Sequence, residues 1–206
     1  SWFCGLKLFV NENVLIPRPE TEELVYMIVN DHRSSALEKM LDICTGSGCI
    51  ALALRSQFKN ALVTAFDISD EALEVANKNA VDLSLEVQFL KKDILTAIPE
   101  SEAQFDVIVS NPPYVRKLEA NEMHERVLSH EPHLALFVED DDPLIFYRAI
   151  FSYAQKTLKK NGKLYFEINQ ALGNELIQLA SEKGFSAQLK KDFFSKDRFL
   201  ICTRLS

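Results

Sequence analysis

The chain has 206 residues, 47% hydrophobic and 26% charged, which suits one α/β domain with a substantial core and excludes two large ones. A formal net charge of −7 argues against duplex DNA or structured RNA as the main partner, because phosphate binding demands a basic footprint. No apolar run approaches the length of a membrane span and the start shows no signal-peptide pattern, so no membrane partner is expected.

From Phe3 to Val14 apolar and polar residues alternate loosely, with Asn11-Glu12-Asn13 as a turn, which predicts a β-hairpin. Pro19 suits the first position of a helix, and Glu20, Glu22 and Glu23 complement its N-terminal dipole. Leu24, Met27 and Ile28 give that helix an apolar stripe ending near Asn30. Arg18, between two prolines, is held extended just before it, as a solvated loop charge or as a group over the active site.

From Lys39 the rhythm becomes β-α-β. Met40–Cys44 is a strand, Ile50–Phe58 a helix, Leu62–Phe66 a strand and Asp70–Ala80 a helix. Leu85–Leu90 is a strand whose run ends at Asp93, and the β-branched stretch Asp106–Ser110 is the next. Strands alternating with helices predict a parallel sheet covered on both faces. Val115–Asp142 is polar and irregular, with the acidic run Glu139–Asp142 as a solvated loop. Pro143–Leu158 reads as a helix, Lys160-Asn161-Gly162 as a turn, Lys163–Ile168 as a strand and Gln170–Lys183 as a helix stopped by Gly184. Phe185–Leu189 and Arg198–Thr203 close the chain as strands. The short link between them predicts an antiparallel last strand, since parallel neighbours need a long crossover.

Three strand ends carry the chemistry. The loop Leu41-Asp42-Ile43-Cys44-Thr45-Gly46-Ser47-Gly48 turns the first sheet strand into a helix, and its glycines let backbone come close to a ligand beside free helical N–H groups. Asp67 follows about 20 residues on, where open α/β sheets keep a carboxylate for ribose hydroxyls. Asp93 ends the third strand and suits an adenine amino group. A nicotinamide dinucleotide fits poorly, because the third glycine of its fingerprint is replaced by Ile50-Ala51 and Asp42 repels a pyrophosphate. S-adenosylmethionine carries an ammonium and a sulfonium and no phosphate, so it fits the acidic loop better.

The fourth strand stops at Asn111-Pro112-Pro113-Tyr114. Residues preceding proline are biased to extended backbone, and the prolines donate no N–H, so the loop is stiff and rich in acceptors. A planar NH2 group is the guest it suits: the Asn111 side-chain carbonyl accepts one N–H, a proline carbonyl accepts the other, and the Tyr114 ring stacks on the flat face. A Pro-Pro pair alone is an ordinary turn. The apolar strand before it and the aromatic after it give it meaning. Cys4, Cys44, Cys49 and Cys202 form no Cys-x-x-Cys pair and are expected as reduced thiols in a cytoplasmic protein. The spacing of His32, His124, His130 and His133 matches no zinc pattern, so no metal is expected.

These stretches, with Ile16-Pro-Arg-Pro-Glu-Thr21, Asp67-Ile-Ser69, Glu131-Pro132, Ala135-Leu136 and Phe166-Glu-Ile168, resemble the HemK/PrmC family over essentially the whole chain. These are class I methyltransferases that modify glutamine in peptide-chain release factors. The resemblance implies a Rossmann-like α/β fold: a mostly parallel seven-stranded sheet with an antiparallel last strand, preceded here by the N-terminal β-hairpin. It implies residues 1–35 as a hairpin and helix packed on a methyltransferase domain of residues 36–206. It also implies S-adenosylmethionine as donor and the Gln of a release factor's Gly-Gly-Gln loop as acceptor. By the same resemblance Cys44, Thr45, Gly46, Ser47 and Gly48 hold the methionine part, with Asp42 beside them. Asp67 holds the ribose, Asp93 and Ile94 the adenine, and Ile68 is a further cofactor-binding residue. Asn111 touches both substrates, and Pro112, Pro113 and Tyr114 complete the acceptor site. The family usually carries Gly where this chain has Cys44, and it carries an N-terminal helical domain that helps grip the release factor. The chain is therefore read as the catalytic domain alone, monomeric, with cofactor binding intact and partner binding weakened. The same loop logic serves a ribosomal-protein glutamine or a flipped adenine or guanine, and a non-catalytic cofactor-binding module is the remaining alternative.

Overall fold

A computed structural model of the chain describes residues 1–99, 104–116, 118, 132, 136–138 and 140–205. His124, His130, His133, Glu131 and Ala135 lie outside the described residues. A small antiparallel pair, β1 (Trp2–Phe3) and β2 (Leu6–Lys7), precedes α1 (Pro19–Asp31). Then come β3 (Lys39–Ile43), α2 (Cys49–Gln57), β4 (Leu62–Asp67), α3 (Asp70–Leu83), β5 (Gln88–Lys91) and β6 (Phe105–Ser110). The short β7 (Val115–Arg116) and β8 (Phe137–Val138) follow. The chain closes with α4 (Ile145–Thr157), β9 (Leu158–Glu167), α5 (Gly173–Glu182), β10 (Phe185–Lys191) and β11 (Asp197–Arg204). Seven strands form one sheet in the order β10-β11-β9-β6-β3-β4-β5, parallel except that β11 is antiparallel to both neighbours.

The central strands are apolar throughout because both of their faces are covered. Leu41, Ile43, Ile108, Leu164 and Phe166 point into a core shared with α4 and α5, while Met40, Val63, Val107, Val109 and Tyr165 point into one shared with α1 and α2. Each fully buried large side chain is worth about 1.5–3 kcal/mol on leaving water. An exposed ion pair such as Lys78–Asp82 is worth less than about 1 kcal/mol, so packing decides the fold.

Three stretches differ from expectation. The N-terminal hairpin turns at Cys4-Gly5, both at positive φ (48° and 78°), which matches the twist of a two-residue hairpin. Asn11–Asn13 does turn, with the Asn13 N–H donating to Asn11 Oδ1, but the residues flanking it are in no paired strand. The expected turn at Lys160–Gly162 is a bulge inside β9: Phe105 pairs with Leu158, yet two residues later Val107 pairs with Lys163. Asn161, at φ 62°, absorbs the extra residues. Finally, Val115–Asp142 is not wholly irregular, since β7 and β8 pair in parallel and the Leu118 N–H donates to Asp140 at 3.0 Å.

Sheet register positions the site. Phe166, Ser110, Ile43, Phe66 and Leu90 form one continuous row across β9, β6, β3, β4 and β5. The next residue on each of the first four strands is Glu167, Asn111, Cys44 and Asp67. Adjacent strands lie about 4.8 Å apart, so these four side chains line one edge of the sheet in that order.

Candidate active site

A cavity runs along that edge, lined by Cys44, Thr45, Gly46 and Ser47 from the β3–α2 loop, by Asp67 at the end of β4 and Ile68 after it, and by Asp93 and Ile94 after β5. Asn111 and Pro113 close it beyond β6, and Thr21 of α1 reaches it from the other side. The four strand ends expected to meet therefore lie along one cavity, together with a fifth group from α1.

On the cofactor side Asp67 ties the strand ends together. Its Oδ2 accepts from the Gly46 N–H at 2.8 Å and its Oδ1 from the Ser69 N–H at 3.0 Å, which leaves lone pairs on both oxygens. Burial holds its carboxyl above the usual carboxylate range, against the hydrogen bonds from Ser69 and Gly46. The loop needs left-handed backbone at Cys44 (φ 62°), Gly46 (φ 54°) and Gly48 (φ 79°). At Gly46 an added Cβ meets nothing within 4 Å, so the space beside it is open to a ligand.

Gly48 serves packing instead and is not on the cavity wall. It is the N-cap of α2, and a Cβ there sits 3.1 Å from Ala76 Cβ and 3.3 Å from Leu52 Cδ1. Gly48→Ala should destabilise the fold by about 2 kcal/mol, from backbone strain plus overpacking, and Gly46→Ala by about 1 kcal/mol from strain alone. Urea titrations of the two variants check this, and equal effects would remove the packing role of Gly48.

Asp42 also departs from expectation. Its side chain is fully buried under the loop and does not line the cavity. Oδ2 accepts from Thr45 Oγ1 at 2.6 Å and from the Ala51 N–H at 3.2 Å, while Oδ1 has no partner among the described residues. Burial pushes its carboxyl up to about 7. Its observed contacts are with the loop and the start of α2, which it braces from beneath.

On the acceptor side Asn111 is half-buried on the cavity wall, and its Nδ2 donates to Thr21 Oγ1 at 3.4 Å. Thr21 in turn donates to Glu167 Oε2 at 2.7 Å, and Tyr114 donates to Glu167 Oε1 at 3.0 Å. Tyr114 is thus held through its hydroxyl, with its backbone carbonyl accepting from Asn169, and it does not line the cavity. The expected stacking of its ring on an acceptor is not prepared in this arrangement. Pro112 is buried and likewise off the cavity wall.

Thr21 was not among the expected site residues. Its signal lies in helical spacing: Thr21, Leu24, Val25 and Ile28 form the buried stripe of α1, and a threonine in such a stripe needs a partner in the core. Glu167, at 2% exposure, is that partner.

The wall suits S-adenosylmethionine. Asp67 offers acceptors for a diol, Ile68 and Ile94 offer apolar surface for a flat base, and Asp93 adds a further carboxylate, all without the crowded Cβ that would block a ligand at Gly46. Among the described residues no cluster of His, Cys, Asp or Glu is placed to hold a metal, and no helix is long and apolar enough to cross a membrane. The four cysteines are free thiols.

Comparison with known proteins bears on the same residues. The family model described as "Methyltransferase small domain" matches residues 21–135, from the threonine of α1 past the Asn-Pro-Pro-Tyr loop. A release factor glutamine methyltransferase of Flavobacterium psychrophilum is 52% identical over 202 residues, covering 96% of this chain and 70% of the relative. One from Bacteroides thetaiotaomicron is 47% identical, covering 98% and 72%. Among solved structures, a release factor-specific protein-(glutamine-N5) methyltransferase from Alicyclobacillus acidocaldarius shares the fold at a TM-score of 0.56 and 24% identity, covering 93% of this chain and 95% of that one. With identity of this order across nearly every residue, and the cavity built from the stretches that carry it, the chain belongs to the release factor glutamine methyltransferase family.

Proposed function

We propose that this chain transfers a methyl group from S-adenosylmethionine to the side-chain amide nitrogen of the Gln in the Gly-Gly-Gln loop of peptide-chain release factors. The observation that carries the reading is Asn111 on the cavity wall: with Nδ2 directed at Thr21, its Oδ1 lone pairs are left for an incoming NH2 group. The cofactor supplies an electrophilic methyl on sulfur; the new N–C bond forms as the C–S bond breaks, sulfur leaves as a neutral thioether, and the surplus proton on nitrogen passes to solvent. Asn111 Oδ1 holds one hydrogen of the acceptor amide, which aligns nitrogen with the methyl for in-line displacement. Asp67 holds the ribose, Asp93 with Ile68 and Ile94 the adenine, and Cys44–Ser47 the methionine part, with Gly48 and Asp42 bracing that loop. Residues 1–35 bring Thr21 to the acceptor side, and residues 36–206 form the methyltransferase domain. The enzyme works in the cytoplasm, where release factors act, and as a monomer.

Methyl transfer from tritiated S-adenosylmethionine, with release factor, ribosomal protein and nucleic acid offered in parallel, tests the reading. Label is expected on the release factor alone, and it should vanish when the loop Gln is replaced by Ala. Label on ribosomal protein or nucleic acid instead overturns it.

A further inference from the structure

Around Asn111 the direction of each hydrogen bond is fixed by what the next group can do. Glu167 is buried at the end of β9; burial raises its carboxyl, against the hydrogen bonds from Thr21 and Tyr114 and the Arg198 charge, and in its ionised form it only accepts. Thr21 Oγ1, 2.7 Å from Oε2, has one proton and must give it there; Tyr114, 3.0 Å from Oε1, must do the same. The Thr21 oxygen then has only lone pairs left to show Asn111. An amide facing lone pairs turns its NH2 edge towards them, and a carbonyl edge placed there meets a second acceptor with no proton between. At 3.4 Å the Asn111–Thr21 contact is long, so the polarity of the hydroxyl, more than the strength of that bond, selects the orientation.

We propose that Glu167 is a positioning residue which, through Thr21, fixes the facing of the Asn111 amide and so makes the site selective for an acceptor that donates hydrogen bonds. The inference rests on the reading of Asn111 as the group that holds the acceptor NH2. It explains why a carboxylate and a threonine are buried at the meeting of α1 and β9, where packing alone favours apolar residues. It also assigns Tyr114 a part that its ring does not play: its hydroxyl holds the second oxygen of Glu167, so that the carboxylate cannot rotate away from Thr21.

The test uses the whole chain, tritiated S-adenosylmethionine and release factor. Thr21→Val, which keeps shape but removes the hydroxyl, and Glu167→Gln, which offers a donor on one edge, should each lower kcat/KM for the release factor by about 100-fold. The loss should fall on kcat, while the cofactor Kd measured by calorimetry stays within about threefold. Thr21→Ser should rescue transfer to within about threefold of wild type. Because the two residues act in series, the Thr21→Val/Glu167→Gln double variant should be no worse than the poorer single one. Wild-type kcat/KM in Thr21→Val, or multiplicative losses in the double variant, overturns the proposal. Thermal melts identify a variant that fails to fold; if Glu167→Gln does, Thr21→Val against Thr21→Ser decides alone. Should the wild-type chain label ribosomal protein or nucleic acid instead, the release-factor reading fails and the same variants are scored on that acceptor.

Discussion

Asn111→Ala is expected to lower methyl transfer by about 10³-fold while leaving the affinity for S-adenosylmethionine within a few-fold. Truncation removes the carbonyl that accepts from the incoming NH2 group, and the neighbouring hydroxyls, though they keep lone pairs, are tied in place by Glu167. Thr21 gives its proton to Glu167, and so does Tyr114. Neither can turn to replace the lost carbonyl without breaking a buried bond. On the proposed function the cofactor is held elsewhere on the wall, by residues at and after the ends of β3, β4 and β5. Single-turnover transfer of label, with calorimetry on the same variant, separates the two effects. Near-wild-type turnover would remove Asn111 from the reaction. Loss of cofactor affinity in parallel with rate would move it to the other side of the site.

How much of this was legible before the coordinates depended on how local the cause was. The order of strands and helices could be read because apolar runs such as Val107–Val109 need no distant partner to identify them as doubly buried strands. The antiparallel last strand followed from a short link, which the structure shows as the five residues 192–196. Asp192 tightens that link by accepting from the Phe194 and Lys196 N–H groups and from Arg198. The N-terminal hairpin was placed correctly but its turn was not. Asn11–Asn13 has the better turn composition, whereas pairing is decided by Leu6 and Phe3 meeting across Cys4-Gly5. The site shows the same division. Asp67 ends β4, and Asn111, Asp93 and Gly46 lie within three residues of the ends of β6, β5 and β3, so register alone brings them together. Thr21 and Glu167 are 146 residues apart in sequence and join only where α1 crosses the end of β9, which no local pattern records. Asp42 and Tyr114 were assigned to ligands on residue type. The structure buries Asp42 beneath the loop and ties the Tyr114 hydroxyl to Glu167.

Asp67→Ala should weaken S-adenosylmethionine binding by about 10²–10⁴-fold, the scale expected for losing two hydrogen bonds to a charged acceptor at about 1.5–3 kcal/mol each. Both oxygens already take one backbone N–H, from Gly46 and from Ser69, so the carboxylate is held in place before any ligand arrives. Asp67→Asn should be nearly as damaging. An amide has one acceptor oxygen, so its NH2 edge must face either Gly46 N–H or Ser69 N–H, and the β3–α2 loop or the start of α3 loses its tie. Acidity offers a separate check. Burial raises the carboxyl of Asp67, so its proton is taken up above the usual carboxylate range. Only the ionised form accepts from a diol through both oxygens, so wild-type affinity should be full at higher pH and fall as pH drops through that raised value. In Asp67→Ala that fall should be absent. Calorimetric titrations of wild type and both variants across the acid range decide the matter. An unchanged Kd in Asp67→Ala at neutral pH, or the same acid dependence in wild type and variant, would take the ribose contact away from this residue.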